Sequence, residues 1–255
     1  MGMHDQPPSL HIEGVGLRIG GATILEDVHL DVAAGAMVGV IGPNGAGKTT
    51  LFNVISGIMR PTSGTVALGG TDITSMSVPA RARAGLGRTF QTSSYFPRLS
   101  VLENVRIAAQ VQLGGNYSLL RFPRRTDEAT EKARGAIEAV GLAHRMDAMA
   151  GDISHGDKRK LEIATLMAID TGIALLDEPM AGVGSGDVDG LVARIRDLHG
   201  GGRRTVLMVE HHIDVLLGLV DMVAVMHAGS ILAYDTPEQI MTNPIVQSAY
   251  LGNAA

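Results

Sequence analysis

Branched apolar residues, partly alternating with polar ones, fill three stretches between residues 10 and 42, LHIEGVGLRI, ATILEDVHLDV and MVGVIG, and predict strands. Gly20-Gly21 and Ala34-Gly35 fall between them as turns. In KTTLFNVISGIM the apolar positions change to helical spacing, and GTVALGGTDI returns to strand and turn. From about Glu103 to Ala148, Leu, Ile, Val and Ala recur three and four residues apart with no strand pattern among them. That predicts helices, in two stretches divided at Leu119 to Arg125. Beyond residue 170 strands alternate with helices: GIALLDEP, a helix through VDGLVARIRDLHG, RTVLMVEH, a short helix, MVAVMHAG and SILAYD.

Buried-looking strands separated by helices predict an α/β fold, a parallel sheet covered by helices. The helical middle reads as an insertion between two halves of one core. No internal repeat or low-complexity tract is present.

Composition narrows the picture. At 255 residues and 45% hydrophobic content the chain can bury a substantial core. Its 21 basic and 26 acidic residues give a net charge of −5, so the balance does not favour a nucleic-acid backbone as partner. Cysteine is absent, which excludes disulfides, thiol catalysis and thiolate metal sites. The start, MGMHDQPPSLH, lacks the basic-then-apolar order of a signal peptide. The best candidate for a spanning helix, VLLGLVDMVAVM, is broken by Asp221, so a cytosolic protein is expected. The 33 glycines exceed the usual share of about 7% and fall at particular turns.

The densest of these turns carries the chemistry. Gly42, Pro43, Asn44, Gly45, Ala46, Gly47, Lys48 and Thr49 fit G-x-x-x-x-G-K-[ST] between a predicted strand and a predicted helix, as a phosphate-binding loop requires. Glycines let successive N–H groups turn toward phosphate oxygens, and the helix N-terminus adds a favourable dipole. Lys48 supplies positive charge to the outer phosphates, and the Thr49 hydroxyl is placed for Mg²⁺, with Thr50 next to it. A plain glycine-rich turn with an exposed lysine is the competing reading.

A nucleoside triphosphate site needs a second metal anchor, and GIALLDEP ends an apolar strand in Asp177 and Glu178. Asp177 is expected to hold Mg²⁺ through water and Glu178 to polarise the attacking water. A solvated strand end is the bland alternative. His211, at the end of TVLMVEH, can contact a γ-phosphate, but taken alone it reads more readily as a surface or core histidine, and the phosphate role comes from the family resemblance that follows.

With ISHGDKRKLEIA, Ile153 to Ala164, the chain resembles the nucleotide-binding subunits of ATP-binding cassette (ABC) transporters. Ser154 and Gly156 match the family's serine-glycine stretch before a basic amphipathic helix. The order also agrees: phosphate loop, Gln91 in RTFQ, serine-glycine stretch, ALLDEP, then VEHH. The resemblance spans Leu10 to Gly252. It implies a P-loop NTPase (RecA-like) core with an N-terminal antiparallel β part and an inserted α-helical subdomain. One cassette then occupies residues 1–255, the core about 1–91 and 166–255 and the helical part about 92–165.

It also implies ATP and Mg²⁺ as cofactors, and two cassettes facing head to tail, the second a copy or a different chain. Each ATP lies between one subunit's phosphate loop and the other's Ser154 and Gly156. Gln91 lies at the hinge with the insertion, where it contacts Mg²⁺ and senses the transmembrane permease subunits. FQTSSYFPRLSVLENVRIA, SHG, KLEIA and DEPMAGV are similar to the importer branch serving branched-chain amino acids and related amides or urea, in which a solute-binding protein acts indirectly. Such a subunit sits on the cytoplasmic, inner face of the cell membrane, with no nucleic-acid partner. The alternatives are an exporter cassette for lipid or polysaccharide, or a soluble non-transport cassette.

Several positions depart from the family pattern. Ile19 stands where many cassettes stack an aromatic on the adenine, and an aliphatic side chain covers a base with less specificity. Gly184 occupies a place usually held by aspartate or asparagine, which bears on communication between the two sites. Ile153 and Asp157 replace the usual leucine and glutamine.

Overall fold

The computed structural model describes residues 9–89, 95–113 and 127–251. The chain begins with an antiparallel hairpin, β1 (Leu10–Ile19) and β2 (Ala22–Val32), turning at Gly20 and Gly21. It enters β3 (Met37–Ile41), passes through a loop into α1 (Lys48–Ser56), and returns through β4 (Ser63–Leu68) and β5 (Thr71–Asp72). All of these strands except β3 form a four-stranded antiparallel sheet, β2-β1-β4-β5. Ahead of the helical middle, two elements lie outside the predicted ones, α2 (Val78–Arg83) and the three-residue β6 (Leu86–Arg88).

The helical middle contains α3 (Val101–Gln112), α4 (Glu128–Ala139) and α5 (His155–Ile169); the expected break at 119–125 lies outside the described residues. On α3 the buried apolar residues Val101, Val105 and Ala109 recur every fourth position and form one stripe. Each helix starts on a capping side chain: Ser100, Asp127 and Ser154 accept from the backbone N–H groups of Glu103, Thr130 and Asp157. The basic amphipathic helix expected after Ser154 is a correction. α5 buries Arg159, Leu161, Glu162, Ile163, Ala164, Leu166 and Ala168, more than one stripe, because α3, α4 and α6 (Val188–His199) enclose it. It also runs unbroken through residue 165.

The rest alternates: β7 (Ile173–Asp177), α6, β8 (Thr205–Val209), α7 (Ile213–Leu217), β9 (Met222–His227), β10 (Ser230–Asp235), then α8 (Pro237–Thr242) and α9 (Pro244–Leu251). The second sheet runs β10-β9-β3-β8-β7-β6, parallel except for the β9–β10 hairpin. β3, β7 and β8 are buried along their whole length.

Side chains alternate across a strand, so a sheet covered on both faces needs apolar residues at every position. On β8, Val206 and Met208 enter one core with the helical middle, while Leu207 and Val209 enter the other with α1 and the antiparallel sheet. On β7, Ala174 and Leu176 divide from Ile173 and Leu175 in the same way. Burying each of the Val, Leu, Ile and Met side chains is worth about 1.5–3 kcal/mol. The parallel strands therefore hold their C-terminal ends in fixed order, and that edge carries the site.

Candidate functional site

β3 ends at Ile41, and the backbone then turns through Gly42, Gly45 and Gly47 with φ of 153°, 79° and 100°. Two of these glycines are also demanded by space. A Cβ at Gly42 would lie 2.2 Å from the Met226 carbonyl oxygen, and one at Gly47 would meet Leu25 Cδ2 at 2.9 Å and the Ile24 oxygen at 3.2 Å. The loop is thus pressed against β9 on one side and β2 on the other. Gly47 caps α1 with no side-chain hydrogen bond, so the first N–H groups of α1 keep the anion-attracting character of a helix start.

Lys48 is 7% exposed and its Nζ donates to the Gly42 oxygen at 2.6 Å and the Pro43 oxygen at 3.0 Å. Burial pushes its ammonium pKa below the usual lysine range, and the charge of Glu178 opposes that shift. Asn44, Gly45 and Thr49 are exposed, Ala46 is buried, and Pro43 and Thr50 are intermediate. The loop presents its backbone and the Thr49 hydroxyl outward around a lysine held from beneath.

At the end of β7, Asp177 is 1% exposed. Its Oδ2 accepts from Arg88 Nη2 at 2.9 Å, its backbone N–H donates to Thr89 Oγ1 at 3.2 Å, and its Oδ1 is buried without a hydrogen-bond partner. Glu178 leaves the extended conformation with φ of 50°, a region that costs a residue other than glycine about 1–3 kcal/mol. Its N–H donates to the Val209 oxygen at 2.9 Å, so the turn is tied to the end of β8. From that turn Glu178 Oε1 lies 2.9 Å from His211 Nε2. An ionised carboxylate only accepts, so His211 carries its proton on Nε2 there.

The structure adds to this cluster Glu210 and Arg88, which the sequence reading did not single out. Glu210 is 2% exposed, and its two oxygens accept from the Met180 N–H at 2.7 Å and the His211 N–H at 3.1 Å. It joins the loop after Glu178 to the loop bearing His211. A charged residue ending an apolar strand in VEHH was the available signal. Arg88 carried no comparable signal, because its partner Asp177 lies 89 positions away.

The remaining expected residues stand apart from this cluster. Ile19 ends β1 beside the hairpin turn, 49% exposed. Ser154 Oγ accepts from the Asp157 N–H at 3.1 Å, and Gly156 faces Asp187, whose Oδ2 would be 3.7 Å from an added Cβ. Gln91 lies outside the described residues.

Residues 25–181 match the family model for the ABC transporter, and residues 230–255 match that for the branched-chain amino acid ATP-binding cassette transporter. The chain belongs to the ABC transporter family. This cassette is 38% identical to the high-affinity branched-chain amino acid transport ATP-binding protein LivG of Escherichia coli, over 97% of this chain and 99% of that one. It is also 38% identical to the similarly named BraF of Pseudomonas aeruginosa, over 97% and 99%. A solved ATP-binding cassette of an ABC transporter, in its ADP conformation, superposes with a TM-score of 0.82 at 30% identity, covering 95% of this chain and 98% of that one.

The α/β fold is accordingly that of a P-loop NTPase, and the cassette is an ATPase subunit of an ABC importer. Among the described residues no helix is long and apolar enough to cross a membrane.

Proposed function

We propose that this cassette binds ATP with Mg²⁺ on the loop from Gly42 to Thr50, hydrolyses it with Glu178 and His211, and thereby powers uptake of branched-chain amino acids through membrane permease subunits. The observation that carries the catalytic part is the 2.9 Å contact between Glu178 Oε1 and His211 Nε2 at adjoining strand ends beside the phosphate loop.

Lys48 and the N–H groups at the start of α1 bind and orient the phosphates. Glu178 takes the proton of the attacking water as general base. His211 holds that carboxylate in place through its Nε2–H, and that same donor would turn to the γ-phosphate once nucleotide is bound. Asp177 and Thr49, with Gln91, are the proposed metal contacts. Mg²⁺ commonly keeps waters and one or two protein oxygens beside phosphates, and the buried, unpartnered Oδ1 of Asp177 fits that demand. When bound, the ion neutralises charge on the β- and γ-phosphates.

Ser154 and Gly156 lie at the start of α5, whose first N–H groups favour an anion, which supports a role toward the nucleotide of a second cassette, a copy or a different chain. Permease subunits are proposed to dock where the helical middle meets the core. A groove there is lined by Val78, Ala82 and Leu86 on one side and Leu161, Leu166 and Ile169 on the other. Docked in this way, the cassette would sit on the inner face of the cell membrane, with a solute-binding protein acting through the permease. Ile19 is the proposed cover for the base.

The names of LivG and BraF support the choice of solute. The test is to reconstitute the cassette with its membrane subunits and measure ATPase activity against candidate solutes. Stimulation by leucine, isoleucine or valine is expected. Stimulation by amides or urea alone would overturn the solute assignment and leave the ATPase intact.

A further inference from the structure

Asp177 is held by a residue that the catalytic reading does not use. Arg88, its side chain 6% exposed, donates from Nη2 to Asp177 Oδ2 at 2.9 Å and from Nη1 to Asn53 Oδ1 at 2.8 Å and Ser56 Oγ at 2.7 Å. Asn53 and Ser56 belong to α1, the helix that opens with Lys48 and Thr49. The guanidinium also lies 5.8 Å from the ring centre of Phe52, a fully buried residue of the same helix. One rigid, planar group thus spans from the helix after the phosphate loop to the carboxylate at the end of β7. The neighbouring Thr89 fixes the backbone of Asp177.

A carboxylate free to rotate would present either oxygen. Here Arg88 occupies Oδ2 and leaves Oδ1 facing no protein donor. We propose that Arg88 is a positioning residue for the metal site. It joins α1 to Asp177 and so sets the separation of Thr49 from Asp177 and the orientation of the one carboxylate oxygen left for the ion. Arg88 also lines the groove between core and helical middle, together with Ser56. Arg88 thus reaches from that groove to the Asp177 carboxylate, and Thr89, which lines the groove too, holds the Asp177 backbone.

This rests on the reading of Asp177 as a metal contact. The test measures binding of a fluorescent ATP analogue to the full-length protein over a range of Mg²⁺ and in EDTA, and Mn²⁺ binding to the nucleotide complex by electron paramagnetic resonance. Partners that orient metal ligands typically change metal affinity about 10–100-fold when removed. Arg88→Ala is expected to raise the Mg²⁺ or Mn²⁺ concentration for half-saturation by about tenfold, with nucleotide affinity in EDTA within about twofold of the original. Arg88→Lys keeps the charge but not the fork, so it is expected to recover part of the loss.

Asn53→Ala combined with Ser56→Ala leaves Arg88 and Asp177 intact and removes the two Nη1 contacts to α1, along with the local bonds of Asn53 and Ser56. It is expected to weaken metal binding in the same direction, and it decides the matter if Arg88→Ala fails to fold. Unchanged metal dependence in these folded variants would overturn the proposal. So would equal losses with and without metal, which mark a general structural role. Nucleotide binding by the original protein that ignores divalent ions would instead overturn the metal reading beneath it.

Discussion

His211 Nε2 lies 2.9 Å from Glu178 Oε1, across the ends of the adjacent strands β8 and β7. Glu178 stands at a positive φ in a turn tied to Val209, so this contact is built by the sheet and not by neighbours in sequence. Glu178→Gln keeps size and removes charge. ATP binding is expected to persist while hydrolysis falls by about 10²–10⁴, as for a lost general base. His211→Ala should lower kcat as well, and the double variant should lose far less than the product of the two single losses, because the residues act as a unit. Hydrolysis at the original rate in Glu178→Gln would refute the general-base role.

Lys48→Ala removes the charge placed beneath the loop. Charge-assisted contacts to phosphate are about twice as strong as neutral ones, so nucleotide binding should drop strongly and hydrolysis vanish. Equilibrium binding of a fluorescent ATP analogue checks this. Unaltered affinity would remove the loop from the site.

Gly42→Ala would place a Cβ 2.2 Å from the Met226 carbonyl oxygen, at a φ of 153° that L side chains rarely adopt. The backbone has to shift, since the obstacle is main chain of β9. ATP affinity is expected to fall while Gly45→Ala, which meets nothing within 4 Å, loses less. Equal losses would show that backbone conformation and not crowding sets the loop.

Glu178→Gln, binding without hydrolysing, should hold two cassettes together in ATP, if copies of this chain pair. Size-exclusion chromatography with ATP reads the dimer, and Ser154→Arg in that background should abolish it by adding bulk and charge at the start of α5. A dimer that survives Ser154→Arg would place the contact elsewhere. A Glu178→Gln protein that never dimerises points to a different chain as partner.

His11 faces Asp31 across the β1–β2 pair, and the hydrogen bond from its ring to that carboxylate raises its pKa above the usual 6.5. Protonated His11 is favoured in the folded chain, so its stabilisation is complete below the unfolded value and is lost as pH rises through the folded one. Asp31→Asn should therefore cost more thermal stability at about pH 5.5 than at about pH 9. The His11 ring titration followed by NMR should move down toward 6.5 in the variant. A titration unchanged by Asp31→Asn would assign the shift to another neighbour.

The phosphate loop and the strands bearing Asp177, Glu178 and His211 were legible in sequence because each is local. A glycine turn needs its residues contiguous, and a strand buried on both faces is an unbroken apolar run that ends where chemistry begins. α2 and β6 were not legible. Arg81, 1% exposed, donates to the oxygens of Val54, Ile55, Thr74 and Met76, so α2 is held by the end of α1 and the turn before it. A buried arginine in a short segment reads from sequence as a solvated one.

The sequence by itself determined which groups the site has: a phosphate loop, two carboxylates and a histidine, each at the C-terminal end of an apolar strand or just after it. The tertiary structure decided how they meet. β8 lies between β3 and β7, which puts His211 against Glu178, and β6 pairs beside β7 with Arg88 opposite Leu175, which brings the guanidinium to Asp177. Strand order and register join residues tens of positions apart, and no local propensity encodes such a distance. They follow from burying two faces of one sheet at once, the helical middle on one side and the antiparallel sheet on the other.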